Sequence, residues 1–148
     1  MSVKDNMFRV WTGVHRYLFK ATKGKAAGKL LGMPVVLLTT TGRTSGQPRE
    51  TMLTTPLQIG DTITLVASFG GDDREPSWCR NLRKNPEVTI TMSGRTEKRT
   101  ARVATTEERA ELWPKLTAAH PNYAGYQRKT SREIPVVLLE RAEAASAG

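Results

Sequence analysis

The chain has 148 residues, 38% hydrophobic and 25% charged, which suits one domain burying roughly two-thirds of its unfolded surface. No run approaches the roughly 20 apolar residues of a membrane span, and MSVKDNMFRVW lacks the features of a secretory leader, so neither is expected. The net charge of +9 is uneven: residues 1–50 hold nine Lys/Arg against Asp5 and Glu50, which places an anion-facing surface in the first third. Cys79 is the only cysteine; it can form no intrachain disulfide, and a reducing cytoplasm is the expected compartment.

In chain order, Met7, Val10, Trp11, Val14, Tyr17, Leu18 and Ala21 form a helical stripe across residues 4–21, with basic side chains on the other faces. TKGKAAGKLLG loses that pattern and reads as a basic connector, so residues 1–30 are expected to stand apart from a domain over 31–140. MPVVLLTT and ETMLTTPLQ read as strands flanking TTTGRTSGQPR. TITLVAS alternates apolar residues with threonines, as a half-buried strand does. GGDDREP is a polar loop, a solvated turn rather than a calcium site because its spacing lacks a terminal Glu. Pro76 suits the start of a short helix over PSWCRNLRK, which Asn85-Pro86 stops. VTITMS and EKRTARVAT form a further hairpin. Thr105 with Glu108 makes a capping box ahead of EERAELWPKLTAAH, which Pro114 is expected to kink or restart. IPVVLLE is the last strand, and residues 141–148 form a frayed tail. About six strands, mostly joined by hairpins, predict a mainly β domain: a small antiparallel barrel flanked by helices.

Three stretches carry chemistry. In GRTSGQPR, Gly42 and Gly46 can adopt positive φ and let backbone N–H groups converge on an anion. Thr44 and Ser45 add hydroxyls, and Arg43 and Arg49 add forked donors matched to phosphate oxygens. The same residues also suit a solvated hairpin tip. In PSWCRNLRKNP, Trp78 and Leu82 suit the core, while the Asn81 amide can reach a heteroatom of a planar ligand. In HPNYAGYQ, Tyr123 and Tyr126 can stack on a substrate or donate a proton, or simply cover a core edge. No zinc cluster, Walker loop or G-x-G-x-x-G is present, so any redox chemistry requires an organic cofactor.

Taken in order, TTTGRTSGQPR, VASFGGDDREPSWCRNLRKNPEV and ATTEERAELWPKL…HPNYAGYQRKTSREIPVVLLE resemble the deazaflavin-dependent nitroreductases. These are actinobacterial split β-barrel reductases that use coenzyme F420 and share their fold with FMN-binding, pyridoxamine-phosphate-oxidase-like proteins. The resemblance implies that Arg43, Thr44, Ser45 and Arg49 grip the cofactor's phosphate and acidic tail. Glu50, Thr51, Met52, Leu53 and Thr54 would run along the cofactor, with Val66, Ala67, Ser68 and Phe69 beneath it. Ser77, Trp78, Cys79, Asn81 and Tyr123 would surround the ring. Tyr123 is implied as proton donor, with Ser68 beside the reacting atoms, and Trp11, His120 and Tyr126 as the acceptor pocket. Relatives often carry lysine at the positions of Thr44 and Phe69, and some carry tyrosine at that of His120. The implied reaction is hydride transfer from reduced F420 to a quinone, enone or nitro compound.

Two other readings are open from residues alone: an FMN-binding oxidoreductase of the same fold, and a non-enzymatic basic barrel with an anionic partner. A nucleic-acid partner is not expected, because the strands lack the aromatics interleaved with Lys/Arg that single strands stack on. The stripe over 4–21 also suits weak contact with a membrane surface.

Overall fold

The computed structural model describes residues 29–30 and 33–141. The expected helix over 4–21, with Trp11, and the tail beyond Arg141 lie outside those residues. Among the described residues, eight strands form one antiparallel sheet. Six are the strands the sequence predicts: β2 (Met33–Thr41), β3 (Pro48–Thr54), β5 (Thr62–Val66), β6 (Glu87–Met92), β7 (Arg95–Val103) and β8 (Val136–Arg141). Two are additional pairs of residues, β1 (Lys29–Leu30) and β4 (Gln58–Ile59). β1 falls within the predicted connector and pairs with Met33 and Pro34, ahead of the residues of β2 that β6 takes.

β2 is the organising strand. It pairs with β3, Val35 opposite Thr54 and Thr41 opposite Pro48, and also with β6, Leu38 opposite Ile90. Its apolar run does not alternate because both faces are covered. Val36 and Leu38 enter the main core with Ile63, Leu65, Val88, Ile90, Val137 and Leu139, whereas Val35 and Leu37 pack with Met52 and Met92 on the opposite face. β8 is covered twice for the same reason: Val136 and Leu138 meet helix α2 (Thr106–Ala119) through Leu112 and Leu116. Each such large apolar side chain contributes about 1.5–3 kcal/mol on burial.

Helix α1 (Ser77–Lys84) crosses from β5 to β6 and plugs the main core with Trp78, Cys79 and Leu82. Pro76 stands one residue before its first turn, as the N-cap, and Asn85 ends it. The predicted capping box at α2 is present, Glu108 N–H donating to Thr105 Oγ1 and Thr105 N–H to Glu108 Oε1. Pro114 does not end α2: the helix runs through it, held on both sides of the proline by the burial of Leu112 and Leu116. HPNYAGYQ contains a further helix, α3 (Asn122–Arg128). Its seven residues are too few to hold a helix on local propensity, and the packing of buried Tyr123 supplies what periodicity does not show.

Candidate active site

The β2–β3 hairpin closes on itself tightly. Gly42 N–H donates to the carbonyl of Gln47 at 2.8 Å, and Gly46 N–H to that of Gly42 at 2.9 Å. Gly46 has φ +71°, as the sequence suggested; Gly42 serves close approach instead, since a Cβ there would lie 2.5 Å from Ser45 Oγ. Ser45 Oγ accepts from Gln47 N–H and from Arg49 Nη2 at 3.3 Å. The turn thus sets the direction of the exposed Arg49 side chain.

α1 braces this hairpin from the other side. Asn81 Oδ1 accepts from both the backbone N–H and Nη1 of Arg43, at 3.2 and 2.8 Å, while its Nδ2 donates to Thr40 Oγ1 at 3.2 Å. Lys84 Nζ donates to the Arg43 carbonyl at 2.7 Å. Thr40 and Lys84 were not singled out from the sequence. Lys84 was detectable there, lying three residues after Asn81 on the same helix face.

Between hairpin and helix lies a cleft of about 330 Å³, lined by Gly42, Arg43, Thr44, Ser45, Arg49, Thr51, Ser77, Trp78 and Asn81. Eight of these nine are predicted cofactor residues, drawn together from two segments some 30 positions apart. Two guanidinium groups and three hydroxyls on the hairpin side, with the Ser77 hydroxyl and an indole on the helix side, suit an anionic group joined to a planar one. A second groove of about 380 Å³ lies beyond Gly46 and Pro48, lined by Thr39, Thr41, Thr89 and Lys98 among others. It holds neither arginine of the hairpin.

The predicted acceptor residues gather elsewhere, around the Thr54 end of β3. Tyr123 is buried; its Oη donates to Met33 Sδ at 3.6 Å. Its ring meets those of His120 and Tyr126 edge-on, at centroid distances of 6.3 and 6.1 Å. Burial raises the Tyr123 pKa above its ordinary value, a hydrogen bond with Thr54 opposes that rise, and Tyr126 adds to it. The phenol is therefore protonated at neutral pH, as a proton donor must be.

β3 joins the two clusters. Arg49 and Thr51 line the cleft at one end and Thr54 meets Tyr123 at the other, about 17 Å along an extended strand. Among the described strands β3 pairs with β2 alone.

The remaining predicted residues are more dispersed. Leu53 packs on the main core and Met52 on the opposite face. Val66 lies under α2, and Ala67 is buried in the core. Cys79 is fully buried, its thiol pushed up to about 12 by burial first and the Glu75 carboxylate second, which makes it a packing group and a poor nucleophile. Ser68 is buried, Phe69 is exposed, and Glu50 is exposed on β3.

Residues 11–141 match the family model described as F420H(2)-dependent quinone reductase. The F420H(2)-dependent quinone reductase of Mycobacterium tuberculosis strain H37Rv is 39% identical over 132 residues, covering 86% of this chain and 88% of that protein. Among solved structures, an F420-H2 dependent reductase (FDR-A) is 42% identical with a TM-score of 0.65, covering 72% of this chain and 94% of that one. A pyridoxamine 5'-phosphate oxidase-related, FMN binding protein from Nostoc punctiforme has a TM-score of 0.50 at 11% identity, covering 88% and 80%. That likeness shows the shared split-barrel fold. With most of its length matched by the family model and by a relative of this identity, the chain belongs to the F420H(2)-dependent quinone reductase family.

Proposed function

We propose that this chain transfers a hydride from reduced coenzyme F420 to a quinone-type acceptor. The observation that carries the reading is β3, whose edge runs from an arginine-and-hydroxyl cleft to a buried, protonated tyrosine. An elongated cofactor with an anionic end and a planar end fits that track. When bound, reduced F420 supplies the hydride from its deazaflavin ring.

The chain's own residues supply the rest. Arg43 and Arg49 bind the anionic end; charge-assisted hydrogen bonds of this kind contribute roughly 1.5–3 kcal/mol each where water is excluded. Trp78 and the core beneath it offer a dry surface to a planar group. Tyr123 holds a proton at Oη. One hydride and one proton convert a quinone to its hydroquinone, so a single positioned donor completes the reaction. Tyr126 and His120, packed around Tyr123, form the wall against which an acceptor ring would lie. Enones and nitro compounds meet the same electronic requirement and form the finer part of the reading, as does approach to a membrane surface through residues 4–21.

Anaerobic mixing of the purified chain with reduced F420 and a small naphthoquinone tests the proposal. Oxidation of one cofactor per quinone, followed by the deazaflavin absorption band, is expected. Turnover with reduced FMN and none with reduced F420 would assign the chain to flavin chemistry on the same fold.

A further inference from the structure

Arg132 lies in the segment joining α3 to β8, outside every residue set considered above. Its Nη2 donates to the carbonyls of Ala67 and Ser68, at 3.2 and 3.0 Å, and its Nε to that of Asp72 at 2.9 Å. Two further contacts fix the same loop. Thr130 Oγ1 donates to Asp73 Oδ1 at 2.7 Å, and Gly71 lies so close to α3 that a Cβ would stand 2.8 Å from the Tyr126 carbonyl oxygen. The base of this grip is itself anchored. Gln127 Nε2 donates to the Arg132 carbonyl at 2.7 Å, and Gln127 Oε1 accepts from Ile134 N–H and Arg109 Nη2, both at 2.9 Å.

The gripped loop is unusual in its backbone. Phe69, Gly70 and Gly71 have φ of +47°, +64° and +87° in succession. Gly tolerates this region, whereas a residue with a bulky side chain adopts it only where its surroundings over-determine it. Phe69 gains little burial in return: the residue is 51% exposed, with the Arg74 guanidinium 5.3 Å from its ring centroid. The turn is held between the Val66 end of β5 and the helix that carries Tyr123 and Tyr126.

We propose that Arg132 is a positioning residue which, by holding the carbonyls of Ala67, Ser68 and Asp72, fixes the Ser68–Gly71 turn against the tyrosine helix and keeps the Phe69 ring outward as a wall for a planar ligand. The identity of that ligand rests on the cofactor reading above; the grip on Phe69 does not. Arg132 acts through Phe69 and touches neither the anion cleft nor the Tyr123 hydroxyl.

The test uses the full chain labelled with 3-fluorophenylalanine, which gives signals for its three phenylalanines, that of Phe69 being assigned by Phe69→Leu. Arg132→Lys keeps the charge but cannot span three carbonyls. The Phe69 fluorine signal is expected to shift and sharpen in Arg132→Lys, and to move the same way by less in Thr130→Val. Quinone turnover should fall roughly tenfold in Arg132→Lys through kcat, with the F420 dissociation constant within about twofold, as for a displaced wall rather than a lost anion contact. Added guanidinium should return the signal of Arg132→Ala toward the wild-type position. A Phe69 signal identical in wild type, Arg132→Lys and Thr130→Val overturns the proposal. A signal that responds to Arg132→Lys but, in wild type, ignores saturating oxidised F420 upholds the grip and refutes Phe69 as a wall for that cofactor.

Discussion

Asn81 Oδ1 accepts two hydrogen bonds from Arg43, one from its backbone N–H and one from Nη1, so a single buried amide sets both the loop and the charge it carries. The sequence suggested that this amide reaches the ligand; in the structure its oxygen is directed at the residue that would. Asn81→Ala is expected to raise the F420 dissociation constant several-fold. It also leaves Thr40 Oγ1 without this donor, at a cost of about 1–3 kcal/mol. Titration and a thermal melt of the same variant separate the two effects. Unchanged affinity would show that Arg43 needs no brace.

Arg49 differs in being exposed and, among the described residues, held by one long contact to Ser45 Oγ. That contact aims its guanidinium and is weak enough to give way to an anion. Arg49→Ala should weaken F420 at least roughly tenfold, and Arg43→Ala should weaken it too, since each charge-assisted bond is worth more than 1 kcal/mol. The wild-type affinity should fall with added salt more steeply than that of either variant. Unchanged affinity in both variants would remove the clamp.

Tyr123→Phe removes the hydroxyl while keeping the buried ring. Turnover should fall more than cofactor affinity does. The raised pKa gives the pH dependence its sign: the donor form is complete at neutral pH and is lost only as pH climbs past the ordinary tyrosine value of about 10. Activity limited by this proton should therefore be level between about pH 6 and 9. Equal rates for wild type and Tyr123→Phe would assign the proton to water.

Glu108 governs stability in acid. Its carboxylate is held at about 2, first by Arg102, whose Nη1 and Nη2 reach it at 2.7 and 2.8 Å, and then by the Thr105 N–H. Because the folded pKa lies below the unfolded one, this stability is complete above the ordinary carboxylate range and is lost as pH falls toward 2. The group is largely solvated, so screening limits its worth to about 1 kcal/mol. Glu108→Gln should melt several degrees below wild type at pH 7, with the gap closing in acid. A gap that persists at low pH would assign the effect to packing.

The hairpin, the capping box and the six long strands were legible because each rests on a local rule: a turn chemistry, a cap spacing or an apolar run. α3 was not legible, since tertiary contacts, the burial of Tyr123 and the bonds of Gln127 among them, stabilise so short a helix. The eight predicted residues of the cleft were recognisable by type and by resemblance and Lys84 by its spacing from Asn81, but the brace from Thr40 was not. Arg132 shows the limit most clearly. An arginine in a polar segment carries no sign in sequence that it grips three carbonyls 60 to 65 residues away.

The central claim is that the cleft between the β2–β3 hairpin and α1 binds F420, and tryptophan fluorescence reports on it through Trp78. Wild type and Trp78→Phe would be titrated with oxidised F420, with FMN alongside. Saturable quenching by F420, largely lost in Trp78→Phe and absent with FMN, is the result this site requires. Saturation by FMN alone, or F420 quenching that Trp78→Phe leaves intact, would contradict it.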